Sequence, residues 1–115
     1  MATSERAFKR GDIVVVPFPY SDRLAEKRRP ALVVSADKFN DHSGFLWVVM
    51  ITSKLQRPLS EDIAFDHTRV GLSKASIIRI AKIATIEAER VVRVAGHIDK
   101  KTLTLVQKSM SAIIS

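Results

Sequence analysis

The chain has 115 residues, with 19 Lys and Arg against 12 Asp and Glu, a net charge of +7 and no cysteine. That length fits one domain spanning 1–115, and the missing thiols exclude disulfides, thiolate metal sites and a cysteine nucleophile. A pI near 10.2 favours a polyanionic partner over other classes, although charge alone also fits a basic but otherwise ordinary surface.

Residues 1–8 are polar and are expected to fray. Met1 to Arg10 holds no apolar run of the kind a secretion leader carries, and the longest apolar stretch, Phe45 to Ile51, is far too short to cross a bilayer. The expectation is a soluble, cytoplasmic protein without a membrane segment. After Gly11-Asp12, the β-branched run Ile13-Val14-Val15-Val16 predicts a buried strand, which Pro17 and Pro19 end. Tyr20 to Arg29 reads as a charged loop, long enough to be functional. Ala31 to Ser35 predicts a second strand opened by Pro30, and Asp37 to Gly44 a polar connection with room for one helical turn.

Phe45 to Ile51 predicts a central strand closed by Thr52-Ser53-Lys54. Leu55 to Glu61 reads as a loop, and Ile63-Ala64-Phe65 as a short strand. Ser76 to Ile86 alternates from Ile78 onward, but keeping both Arg79 and Lys82 outward requires a bend near Ala81. Val91 to Ile98 predicts the last strand. Asp99 is a good N-cap for an amphipathic helix with Leu103, Val106, Met110 and Ile113 at spacings of three and four. The sum is a mainly β fold with a C-terminal α-helix, most simply closed as a small twisted barrel.

Three groups of residues could carry chemistry. Arg29 ends the cluster Lys27-Arg28-Arg29, and Pro30 biases it to extended geometry, where its guanidinium could grip a phosphate through two parallel hydrogen bonds. The same triplet also fits a solvated basic loop. Thr52-Ser53 places hydroxyls at a strand end, able to donate to a phosphate oxygen or simply to satisfy nearby backbone. Arg79 and Lys82 interrupt an Ile/Ala strand, and Lys54 and Arg57 would extend any basic surface they join. His42, His67 and His97 are scattered, with no metal-ligand spacing, and Asp37 and Asp41 lack the pattern of a calcium loop. Neither a metal nor a cofactor is expected.

Taken together, Lys9-Arg10-Gly11-Asp12-Ile13-Val14-Val15-Val16-Pro17-Phe18-Pro19 and Arg28-Arg29-Pro30-Ala31-Leu32-Val33-Val34-Ser35 resemble the opening of the MazF/PemK toxins of type II toxin–antitoxin systems. The resemblance continues through Val49-Met50-Ile51-Thr52-Ser53 and Ser76 to Ile86, and the final helix matches as a pattern. It implies an SH3-like, MazF/CcdB-like small barrel that forms a homodimer, is restrained by a cognate antitoxin protein, and cleaves single-stranded RNA at short sequences without a metal. The family's catalytic Arg and Thr fall on Arg29 and Thr52. Lys27, Arg28, Ser53, Lys54, Arg79 and Lys82 are then expected to bind RNA. Some members carry a Glu in the first loop that assists proton transfer. The matching position here is Leu24, with Glu26 two residues on, so the resemblance assigns no general base.

Two other classes fit the same barrel. A non-enzymatic toxin that poisons DNA gyrase would be expected to end on an aromatic anchor, whereas this chain ends Ser111-Ala112-Ile113-Ile114-Ser115. A plain RNA-binding module would stack bases on exposed aromatics, and here one Trp, one Tyr and five Phe lie mostly in apolar strands.

Overall fold

The computed structural model describes residues 7–18, 27–53, 59–66, 68, 72 and 75–115. In chain order these form β1 (Asp12–Phe18), β2 (Lys27–Val33), α1 (Asp37–Ser43), β3 (Phe45–Ser53), β4 (Ile63–Ala64), β5 (Ser76–Glu87), a 3-10 turn at Ala88–Arg90, β6 (Arg93–His97) and α2 (Lys100–Ile114). The described strands make one six-stranded antiparallel sheet in the order β4-β5-β3-β2-β1-β6, curled into a half-barrel.

Alternation along the strands divides the apolar side chains between two faces. Val14, Val16, Ala31, Val33, Leu46, Val48 and Met50 point to the first face, where Phe8 and Val91 join them. Phe8, placed by its sequence position in a fraying end, is in fact 7% exposed and part of this core. Ile13, Leu32, Val49, Ile51, Ile78 and Ile80 point to the second face, which α2 covers through Leu103, Val106 and Met110. Each such aliphatic side chain withdrawn from water contributes about 1.5–3 kcal/mol before chain entropy is set against it.

The helix begins as its cap foretells. The Asp99 carboxylate accepts from the Thr102 N–H at 3.1 Å and from the Thr102 hydroxyl at 2.7 Å. Val106 is fully buried, but the apolar stripe outruns the sheet and Ile113 stays exposed. Gly11, at φ +98°, is required at its turn, since a Cβ there would come within 2.9 Å of the His97 ring.

Three local expectations change. The connection after β2 forms seven residues of helix, α1, closed by Gly44 in the left-handed region. Val91 and Val92 precede β6 rather than starting it, and the Val92 N–H donates to the Val15 carbonyl. Most consequentially, β2 begins at Lys27, so Arg28 and Arg29 belong to a strand and pair with Pro17 and Val16 of β1. The charged run reads as loop because nothing in it is apolar; β1 alongside supplies the partner that makes it a strand.

Candidate active site

β2 and β3 run together for only a short distance. Their pairs are Val33↔Val48, Leu32↔Val49 and Ala31↔Met50, and there the ladder stops. Proline explains the stop. The Val34 N–H donates to the Trp47 carbonyl on β3, and alternation turns the nitrogens of residues 32 and 30 to that same side. The next donor toward β3 would therefore be the nitrogen of residue 30, which is proline and has no hydrogen to give. Its pairing with Val15 on β1 persists, while β3 continues along β5 through Ile51↔Ile78, Thr52↔Ile77 and Ser53↔Ser76.

The strands part at this point around a cleft of about 480 Å³. One wall is Lys27, Arg28, Arg29 and Pro30 of β2; the other is Ile51, Thr52 and Ser53 of β3, with Leu72 and Ser76 beyond. Beyond Ala31↔Met50 the two strands are no longer paired, and Arg28 and Arg29 line the cleft from β2 with Thr52 and Ser53 from β3. Arg29 and Thr52 share the first face with Ala31 and Met50, whereas Arg28 and Ser53 share the second with Pro30 and Ile51. Arg29 is half-buried with its Nε buried, and Thr52 is half-buried; Lys27 and Arg28 are exposed. The described lining thus offers three cations and three hydroxyls, and no carboxylate or imidazole.

Arg79 behaves differently from the outward-facing basic residue its alternation suggested. It lies opposite Met50 on the first face, with its side chain 11% exposed, and its Nε and Nη2 donate to the Asp62 carboxylate at 3.2 and 2.9 Å. The Leu59 N–H donates to the same carboxylate at 2.7 Å. The Arg79 hydrogen bonds hold the Asp62 carboxyl below its usual range against the opposing effect of burial, with the Leu59 N–H assisting. Asp62 in turn raises the already high Arg79 pKa. Immediately after Arg79 the register jumps, from Met50↔Arg79 to Val49↔Ile83. Ile80, Ala81 and Lys82 form the irregularity that the sequence required near Ala81, and Lys82 is exposed there.

Of the residues singled out from sequence, the fold gathers Lys27, Arg28, Arg29, Thr52 and Ser53 into the cleft, and places Arg79 and Lys82 outside its lining. Lys54, Arg57, Leu24, Glu26 and His67 lie outside the described residues. His97 sits 2.9 Å from Asp12 at the opposite end of β1 from the cleft, and His42 lies against the Lys38 carbonyl of α1. Among the described residues no three His, Cys, Asp or Glu side chains cluster as metal ligands. Sequence reasoning missed Leu72, Ser76 and Asp62. Ser76 carries the signal that marked Thr52, a hydroxyl at a strand end, but the other two lie in segments whose neighbours across the sheet are set only by the fold.

The chain matches, over residues 9–114, the family described as PemK-like, MazF-like toxin of type II toxin–antitoxin system. It is 28% identical over 104 residues to Endoribonuclease EndoA of Bacillus subtilis (strain 168), covering 89% of this chain and 90% of that protein. Among solved structures it superposes on a MazE–MazF complex from Deinococcus radiodurans with a TM-score of 0.79 at 17% identity, covering 96% of this chain and 97% of that one. An endoribonuclease in complex with its cognate antitoxin from Mycobacterial species gives 0.74 at 15% identity, with 96% and 95% covered. At such identities the structures show a common fold.

Proposed function

This chain belongs to the PemK-like, MazF-like toxin family of type II toxin–antitoxin systems, and from that membership we propose that it is an endoribonuclease whose catalytic pair is Arg29 and Thr52. What supports the assignment is that both line one cationic cleft, and that strand alternation puts Arg29 with Ala31 and Thr52 with Met50 on the same face.

Cleavage of RNA by its own 2′-hydroxyl forms a bond from the 2′-oxygen to phosphorus, with the hydroxyl proton released to water, and breaks the bond to the 5′-oxygen, which leaves as a hydroxyl after taking up a proton from water. Negative charge grows on the non-bridging oxygens in between. Arg29 supplies two parallel donors and a positive field where that charge develops. The Thr52 hydroxyl donates to a non-bridging oxygen. Lys27 and Arg28, with Ser53, hold the neighbouring phosphates, and the need for a 2′-hydroxyl confines the reaction to RNA. Arg79 and Lys82 act away from the scissile phosphate, and Arg79 serves the sheet through Asp62.

The reading extends to its setting. A single domain acts in the cytoplasm on single-stranded RNA, pairs with a second copy of itself, and is restrained by an antitoxin protein; the mycobacterial endoribonuclease of the same fold is found in complex with its cognate antitoxin. No helix among the described residues is long and apolar enough to cross a membrane. The direct test is to incubate the pure protein with RNA in EDTA. Cleavage leaving a 2′,3′-cyclic phosphate is expected; loss of cleavage on chelation that magnesium restores would overturn the mechanism.

A further inference from the structure

The two faces of the strand gap differ in chemistry, and the catalytic pair uses only one of them. On the first face stand Arg29 and Thr52. On the second, Arg28 and Ser53 stand at the outer end; inward of them Pro30 and Ile51 continue the apolar alternation, Leu72 packs against the same cluster while also lining the cleft, and Ser76 closes the wall opposite Ser53. A cleft of about 480 Å³ lies within the common range for small-ligand sites, about 300–1,000 Å³, so a phosphate alone would leave most of it empty.

Resting on the endoribonuclease reading, we propose that Leu72, Pro30 and Ser76 form the wall that holds and selects the nucleobase beside the scissile phosphate. An unpaired base presents a flat apolar surface and a polar edge. Leu72 and Pro30 are half-buried carbon surfaces without hydrogen-bonding side chains, suited to the flat side. Ser76, 7% exposed at the end of this wall, carries a hydroxyl whose chemistry, donor and acceptor at once, matches that edge. Because residues 29 and 30 point to opposite faces, one nucleotide seated in the gap has its phosphate on the Arg29 side and its base on the Leu72 side. Selectivity then resides in side chains other than those that perform the cut.

The test is cleavage of RNA of randomised sequence, with the new ends sequenced, by wild type and by Leu72→Ala, Leu72→Met and Ser76→Ala. Leu72→Ala is expected to weaken base preference at one position beside the cut about tenfold, and Leu72→Met to retain it. Ser76→Ala, which removes a single oxygen and serves if Leu72→Ala does not fold, is expected to change preference at that same position. Unaltered preference in a folded, RNA-cutting Leu72→Ala or Ser76→Ala protein overturns the proposal, as does a rate loss spread evenly over all sequences. Wild type that cuts no RNA would overturn the endoribonuclease reading, and this proposal with it; intact cutting with unchanged preference removes only the base wall.

Discussion

The carboxylate of Asp62, just before β4, and the guanidinium of Arg79 on β5 meet edge to edge, 17 residues apart in sequence, with side chains only 7% and 11% exposed. Arg79 stands opposite Met50, two residues before Thr52, and the register of β5 jumps directly after it. The pair therefore pins the stretch of β5 that flanks β3 beside Thr52.

Asp62→Asn leaves a shielded guanidinium without its counter-charge, so the melting temperature is expected to fall by several degrees at neutral pH. The folded carboxyl has a lowered pKa. Its contribution is present above the unfolded value near 4 and is lost as the pH falls through the lower folded one. Thermal melts of both proteins from pH 7 downward should converge in acid; a constant difference throughout would show that the pair contributes no such linkage.

Arg29→Ala is expected to slow single-turnover RNA cleavage by about 100- to 1,000-fold, the usual effect of losing one donor to developing charge. Arg29→Lys keeps the charge without the planar fork and should recover only part of the rate. Arg28 shares the cluster but turns to the other face of β2, so Arg28→Ala should weaken binding modestly, and less so at high salt. Equal small losses for Arg28→Ala and Arg29→Ala would reduce the pair to an electrostatic patch. Circular dichroism must accompany these rates, since Arg29 lies within a strand.

Thr52→Val preserves the β-branched shape and its place opposite Ile77 while removing the hydroxyl. The cleavage step should slow with RNA affinity nearly unchanged, because the hydrogen bond matters most as charge grows on the phosphate. A matched loss in affinity with an unchanged cleavage rate would make Thr52 a binding residue only.

Light scattering at micromolar concentration should return twice the 12.8 kDa chain mass. Trp47 and Ile114, left 48% and 82% exposed, line one largely apolar groove, surface of the kind a second copy covers. A monomer mass would count against the dimer.

The strands were legible where β-branched residues ran together, as in Ile13 to Val16 and Phe45 to Ile51, because local propensity and burial agree there. They were illegible at Lys27 to Arg29, where a strand exists only because β1 offers a partner. Arg79 was misread for a related reason: alternation gives a face but not a counter-ion, and Asp62 is distant in sequence. Arg29 and Thr52 were individually visible as a guanidinium and a hydroxyl beside strand ends. That both line one cleft depends on β2 and β3 being neighbours in the sheet, which no local pattern encodes.

Pro30 gives the cleft a property that its dimensions do not convey. An opening between two ordinary strands would exist only while backbone bonds were broken, and each such bond would oppose ligand entry by about 0.5–1.5 kcal/mol. With no hydrogen on the nitrogen facing β3, that rung can form at most one of its two backbone bonds, from the Ile51 N–H to the Pro30 carbonyl, and so closes only weakly. Incoming RNA meets a gap organised largely in advance, and its binding energy remains available for orienting the chain. Replacing Pro30 by a residue with an N–H would let the two strands zip one step further, toward Ile51, and convert a ready entrance into one that RNA must force.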